Sequence, residues 1–428
     1  MSEKSDIETG DDIPAAQRGW LGSRYRLSKS FWIFLGASCL FNFGMFIFVL
    51  LYNLFLLELG YKEDFLGWLS SLTTAGNLVG TLLAVLLTRR FGVKVTVVGF
   101  FALISVVCVL RAALLGKVAL LSFAFVAGLL FAIWAISLAV VVAQLTTVEQ
   151  RPIGFSIYMA VAIGIGVVAD LAGGHLPNWL ATFWPASSGA EIKQHALFIA
   201  CGLVALAVLP ASRLQLARTE NSSRISYPRS SFVVRFLVSV AMLNVATAAF
   251  NPFANAFFSQ YLHVPTQRIG LIFSVGQFTQ VVAIVISPLI LRRLGLVWGV
   301  ASMELAAGFS LALMAIGPPS MAAAGFAGFM AFQWMDEPAM ESLLMTRVAP
   351  HEQSGAAAMM YMTIFAAGAI TAPLAGKGIA SFGYPSVMSV AAFLLLLGGL
   401  LFGMLLKNME REEASDGELA TDVISSAN

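Results

Sequence analysis

Charge is what this sequence has least of. Asp, Glu, Lys and Arg make up 11% of its 428 residues while 59% are hydrophobic; a soluble domain carries about 25% charged residues. No soluble core uses that much apolar surface, so an integral membrane protein is expected. Cysteine is nearly as scarce. Cys39, Cys108 and Cys201 are an odd number, far apart and each inside an apolar run, which predicts neither a disulfide framework nor a metal site. The four histidines, His175, His195, His263 and His351, have no metal-ligand spacing. No Ser-His-Asp or Cys-His set can be drawn, so the chain is not expected to be an enzyme. The 37 glycines form no phosphate-cradling loop, which argues against ATP as an energy source within this chain. No basic, aromatic-studded stretch points to nucleic acid, and no cofactor is expected. The start also lacks the apolar stretch and cleavage site of a signal peptide.

Long apolar runs are what the sequence has instead. A helix needs about 20 apolar residues to cross about 30 Å of hydrocarbon. Twelve such runs lie at 31–57, 65–87, 95–115, 118–146, 153–174, 195–210, 232–258, 269–291, 297–316, 320–346, 356–379 and 386–406. Between the fifth and sixth, residues 176–193 read as an interfacial loop, with Trp179 and Trp184 at headgroup depth. An even number of spans places both ends on one side. Eighteen of the 25 Lys and Arg fall on that side and four in the opposite loops. Lys and Arg accumulate in cytoplasmic loops, so both ends are expected in the cytoplasm of a plasma (inner) membrane protein. The polar segments 1–30 and 407–428 read as cytoplasmic tails.

The chain also repeats itself. The polar segment 211–231 divides the spans six and six, into 31–210 and 232–406. Across it Asn42, Asn53 and Phe55 match Asn244, Asn255 and Phe257, all 202 residues on. Gly67, Ser71, "RRFG" at 89–92, Glu149-Gln150 and "LAGG" at 171–174 match Gly270, Ser274, "RRLG" at 292–295, Glu352-Gln353 and "LAGK" at 374–377, all 203 on. Trp134 matches Trp334 at 200. Parallel six-helix repeats about the membrane normal are a transporter arrangement.

With these features, residues 31–406 resemble the major facilitator superfamily. That family's loop between helices two and three reads Gly-x-x-x-Asp-Arg-x-Gly-Arg-Arg/Lys. The loop here, "VLLTRRFGVK", keeps Arg90, Gly92 and Lys94, and has Val85, Arg89 and Val93 at the other three positions. The drug-antiporter motif Gly-Pro-x-x-Gly-Gly of helix five stands here as "ADLAGG", with Asp170 for Pro, and the second half keeps "APLAGK" with Pro373. The fourth span has no early Arg of the kind proton-coupled members often carry. The resemblance implies an all-α fold of twelve transmembrane helices in two six-helix repeats around a central cavity. It implies secondary transport by alternating access, and a cytoplasmic gate at Arg89, Arg90, Gly92, Arg292, Arg293 and Gly295. Glu149 and Glu352 are the candidate counter-charges. Arg89, Arg90, Arg292 and Arg293 read equally well as plain positive-inside anchors.

In that family the first and fourth helices of each half line the cavity. This carries Asn42, Tyr52, Trp134, Ser137, Asn244, Asn251, Gln333 and Trp334 into the candidate site. The Asn residues read either as ligand contacts or as hydrogen bonds between helices. Asn251 precedes Pro252, which is expected to kink the seventh span. The strongest signal is "FQWMDEPAMESLL", Phe332 to Leu344, with Asp336, Glu337 and Glu341 in one span. A charge there costs about 3 kcal/mol on insertion scales. The repeat-related positions of Asp336 and Glu337 hold Ile136 and Ser137, so the fold alone does not demand the acids. They are expected to hold a coupling proton or a cationic group, with Trp334 packed on the solute; Glu341 reads alternatively as a partner for Arg347. The deep charges are acidic, which favours a small neutral or cationic organic solute. An efflux antiporter for drugs or metabolites and a transport-inactive sensor or scaffold are the alternatives. The expected partners are the bilayer, the solute and protons, and a monomer is expected.

Overall fold

The computed structural model describes residues 27–147, 150–216, 226–349 and 351–426, with side chains except at 85, 89, 152 and 407–426. Glu149, the Arg89 side chain, residues 1–26 of the first tail and 217–225 of the linker lie outside the described residues.

Helices α1 (Lys29–Glu58), α2 (Glu63–Phe91), α3 (Val93–Ala113), α4 (Lys117–Leu145), α5 (Arg151–Phe183) and α6 (Gly189–Leu206) come first. Helices α7 (Ser231–Phe250), α8 (Thr266–Ile316), α9 (Pro319–Met335), α10 (Glu337–Arg347), α11 (Gln353–Phe382) and α12 (Tyr384–Ser426) follow. Among the described residues there is no strand. In lipid every backbone polar group must be satisfied within the segment, which selects helix. The repeat reaches the helix starts. Ser28 caps α1 by accepting from the Phe31 N–H at 3.1 Å. Ser230, 202 residues on, caps α7 by accepting from Val233 at 3.3 Å.

Among the described residues ten helices are long and apolar enough to cross a membrane. One of them, α8, runs for 51 residues and turns back on itself at Gly295, whose φ is 75°. That angle belongs to the left-handed region open to glycine, so α8 makes two crossings. Gly92 of "RRFG", φ 82°, makes the matching turn between α2 and α3. α9 and α10, 17 and 11 residues long, together make one more. Among the described residues the crossings therefore number twelve. The 176–193 loop is corrected: α5 continues through Pro177 to Phe183, leaving 184–188 as the connection. A chain still at lipid depth keeps its helical bonds until the headgroups, where Trp179 and Trp184 are exposed.

Phenylalanine fills the interior. Phe34, Phe41, Phe100 and Phe101 surround Trp134, with ring centroids 5.0 to 6.0 Å away. Phe250, Phe257, Phe258, Phe326 and Phe329 do the same work among α7, α8 and α9. The outer faces carry exposed Val118, Val285, Ile370 and Leu374, as expected where lipid is the solvent. Cys108 and Cys201 meet between α3 and α6, with the Met45 sulfur 3.8 Å from Cys108. The sequence reading of three widely separated thiols is corrected there.

Helices before and after the linker meet mostly at their ends remote from the tails, and the contacts come in repeat-related pairs. The Ser71 hydroxyl donates to the Ala369 carbonyl at 2.6 Å, and Ser274 to Val167 at 2.8 Å. Asn53 donates to the Pro252 carbonyl at 2.9 Å and to Asn255 at 3.3 Å, while Asn255 donates to the Leu50 carbonyl at 3.1 Å. A Cβ on Gly67 would stand 2.6 Å from the Ala372 oxygen, and one on Gly270 2.5 Å from the Asp170 oxygen. Small residues let helix backbones approach this closely.

Candidate functional site

Two helices are broken at the same depth, and proline breaks both. Pro252 lacks the N–H that would continue α7, so the chain passes through a 3-10 turn at Asn251–Phe253. Pro338 does the same between α9 and α10, leaving Asp336 at the junction with φ −86° and ψ −22°. The Asp336 carbonyl accepts from Met340 N–H at 2.9 Å, but its carboxyl caps nothing. The breaks are joined by Asn251 donating to Gln333 at 3.3 Å. Interrupted helices at mid-membrane expose backbone and side-chain polar groups to a cavity, as in several transporter folds.

A cavity of about 380 Å³ opens beside these breaks, on the tail side of the contacts just described. Its wall takes Ser70, Thr74 and Asn77 from α2, Asn244, Thr247 and Asn251 from α7 and its break, and Tyr361 and Phe365 from α11. Gln333, Trp334, Asp336 and Glu337 come from α9 and α10, and Glu304 from the second limb of α8. Among the lining residues there is no Lys, Arg or His. Trp334 is 39% exposed and presents its ring to this space. Glu341 does not line the cavity; it accepts from the Tyr361 hydroxyl at 2.7 Å and so fixes a residue that does.

Asn244, Asn251, Gln333, Trp334, Asp336 and Glu337 are therefore brought together as the sequence led one to expect. Four others are not. Trp134 is buried in the aromatic cluster of α1, α3 and α4. Ser137 is buried outside the cavity. Tyr52 lies under the Arg111 guanidinium, 4.2 Å from its ring centroid. Asn42 has a buried amide and does not line the cavity. Knowing which span faces the centre does not say which side of that helix does. Glu304 stands in the second limb of α8, outside the first and fourth spans to which the sequence reading assigned the cavity. A lone acid in "ASMELAAG" carries the same signal that marked Asp336.

Among the described residues no ion pair joins Arg90, Arg292, Arg293 or Glu352. Arg90 sits 5.5 Å from the centroid of Phe91. The one ion pair between described residues is Lys193–Glu58, linking α6 to the end of α1. The hydrogen bonds between helices before and after the linker, among the described residues, lie toward the ends remote from the tails.

The model of the Major Facilitator Superfamily matches residues 236–422. No curated protein matches the chain. Among solved structures, a mutant of the nucleoside transporter NupG is similar over 87% of this chain and 98% of its own, at 14% identity and TM-score 0.72. A bacterial homologue of the human lysosomal transporter Spinster, inward-facing and unoccupied, is similar over 88% and 96%, at 12% identity and TM-score 0.69. A D-xylose–proton symporter is similar over 87% and 96%, at 13% identity and TM-score 0.64. At such identities the likeness is one of fold. The family model thus matches the second half of the chain, and the likeness of fold extends over most of it.

Proposed function

We propose that the protein is a secondary transporter that moves a small neutral or cationic organic solute by alternating access, coupled to protons. The observation that carries this is the wall of the cavity. Three carboxyls and four amides face or adjoin it and no basic side chain does. An anion would meet uncompensated negative charge there, whereas an amine or a polyhydroxylated solute would find acceptors and donors. The volume suits a monosaccharide- or nucleoside-sized molecule. Trp334, in the same cavity wall as Glu337, offers an aromatic face to a sugar, a base or a cation. Asp336 and Glu337 are the residues we assign to the coupling proton or the cationic group. The exposed indole beside an acid also favours a second reading, proton-driven export of an amine.

The two six-helix halves, 31–210 and 232–406, would be the moving bodies, with the excess of Lys and Arg placing both ends in the cytoplasm of the plasma (inner) membrane. The cavity would then face inward, closed outside by the Asn53–Asn255, Ser71–Ala369 and Ser274–Val167 contacts. A reporter fused after residue 428 or inserted within 214–231 is expected to read cytoplasmic, and one within 184–188 external. An external linker would contradict the assignment. In the outward-facing state the tail-side ends close, and there Arg90 and Glu352 would pair. Charge reversal at both positions is expected to restore transport beyond either single reversal; purely additive losses would argue against the pair.

The test of the solute class is a thermal stabilisation screen on purified protein with nucleosides, monosaccharides, amines and organic anions. A bound solute raises the melting temperature by mass action. Stabilisation by neutral or cationic members is expected, and stabilisation confined to the anions would overturn the assignment.

A further inference from the structure

We infer that Glu304 and Asp336 together form one proton-binding site, distinct from the cavity face that takes the solute. This rests on the transport reading above and adds the place where the coupling proton sits.

Glu304 lies nine residues beyond the Gly295 turn and Asp336 eleven before Arg347, about 14 Å and 16 Å of helix respectively. Both are thus near the middle of about 30 Å of hydrocarbon. Both are almost fully buried, and their carboxyls are within hydrogen-bonding reach of each other. Among the described residues, both Asp336 oxygens and Oε2 of Glu304 meet no donor. Two ionised carboxylates have only acceptors and cannot bond to each other, whereas one proton makes one of them a donor.

The surroundings supply no other remedy. Glu337 and Glu341 come from the same span, and Tyr361, held by Glu341, comes from α11. The lining residues of α2 and α7 are neutral. Gly399 of α12 packs against Glu304. Arg292 and Arg293 are exposed, back at the tail-side end of the first limb of α8. Hard cations such as Ca2+ and Mg2+ take six or more oxygen ligands, and among the described residues no group of three or more His, Cys, Asp or Glu is placed to hold a metal. A proton is the counter-ion that fits.

Glu337 is less buried than this pair and is left to the solute. The location also gives the proton mechanical leverage. With it in place the pair ties α8 to the α9–α10 junction. When it passes to cavity water, two like charges face each other across a helix break that already lacks a backbone bond at Pro338. The junction is then free to rearrange, linking proton occupancy to the state of the cavity.

Infrared spectroscopy of the full-length protein in lipid nanodiscs tests this, titrated from about pH 5 to about pH 9, a range in which free Asp and Glu are already ionised. Wild type is expected to show a protonated-carboxyl carbonyl band at neutral pH that shifts in deuterium oxide and disappears in a single step. Glu304→Gln and Asp336→Asn should each remove that band, and Glu337→Gln should retain it. Absence of the band in wild type would overturn the inference whether or not the variants fold. So would a band lost only in Glu337→Gln, or two separate bands lost one by one in the two single variants. The solute screen is run in parallel and is read separately. A stabilising solute without the band removes this inference and leaves the transport reading standing. The band without any stabilising neutral or cationic solute does the reverse.

Discussion

Gly270→Leu is expected to abolish transport, by at least about a hundredfold, while the protein still folds and inserts. A Cβ at this position would lie 2.5 Å from the Asp170 oxygen and 2.6 Å from the Gly174 Cα. Both are backbone atoms of α5, which cannot swing aside as a side-chain tip can. The rest of the leucine then drives α5 and α8 apart, and overpacking of this kind costs about 1–3 kcal/mol. A hundredfold loss corresponds to about 2.7 kcal/mol, near the top of that range. The cost falls on the state in which these ends are closed, because in the opposite state of an alternating-access cycle they separate. Folding therefore survives and cycling does not. Gly36→Leu is the control, since nothing lies within 4 Å of a Cβ there. Initial transport rates in proteoliposomes check the pair: equal losses at the two sites, or none at Gly270, would contradict the close-approach reading.

Gly270 also marks how far the sequence could be read. Asn53/Asn255, Gly67/Gly270 and Ser71/Ser274 were recognisable only as matches between halves. The structure shows why both copies carry these residues: each member contacts the other half across the closed end. A repeat related by rotation about the membrane normal brings equivalent positions to one interface, and there small residues and hydrogen-bonding side chains are needed twice. The turns at Gly92 and Gly295 were legible for a related reason, since positive φ favours glycine.

The site was only half legible. Trp134 and Trp334 are matched in the repeat, yet one is 6% exposed within an aromatic cluster and the other 39% exposed to the cavity. The difference comes from Pro338, which ends α9 just after Trp334 and has no counterpart in α4. Tyr52 and Ser137 sit on faces turned toward their own neighbours, a matter of helix rotation that span order does not specify. Glu304 needed the three-dimensional contact with Asp336 to acquire a role, because in the sequence the two stand 32 residues apart.

The second large effect is expected at the acids. Asp336→Asn and Glu337→Gln keep side-chain size and polarity, so expression and folding should persist, while accumulation driven by a proton gradient should fall to the level set by equilibration. An amide cannot exchange a proton at neutral pH, and it offers a cationic group only a dipole in place of a charge. Removing one charged partner of a buried contact typically costs about 2–5 kcal/mol, which is about 30-fold to several thousandfold in affinity for a cationic group.

The most direct test uses proteoliposomes loaded with a pH indicator, supplied with a solute found by the stabilisation screen. Wild-type protein should couple solute movement to proton movement, accumulate solute against its gradient when a pH difference is imposed, and lose both properties in the Asp336→Asn/Glu337→Gln double variant. PH-driven accumulation that survives in the double variant would contradict the assignment of the acid-walled cavity as the coupling site.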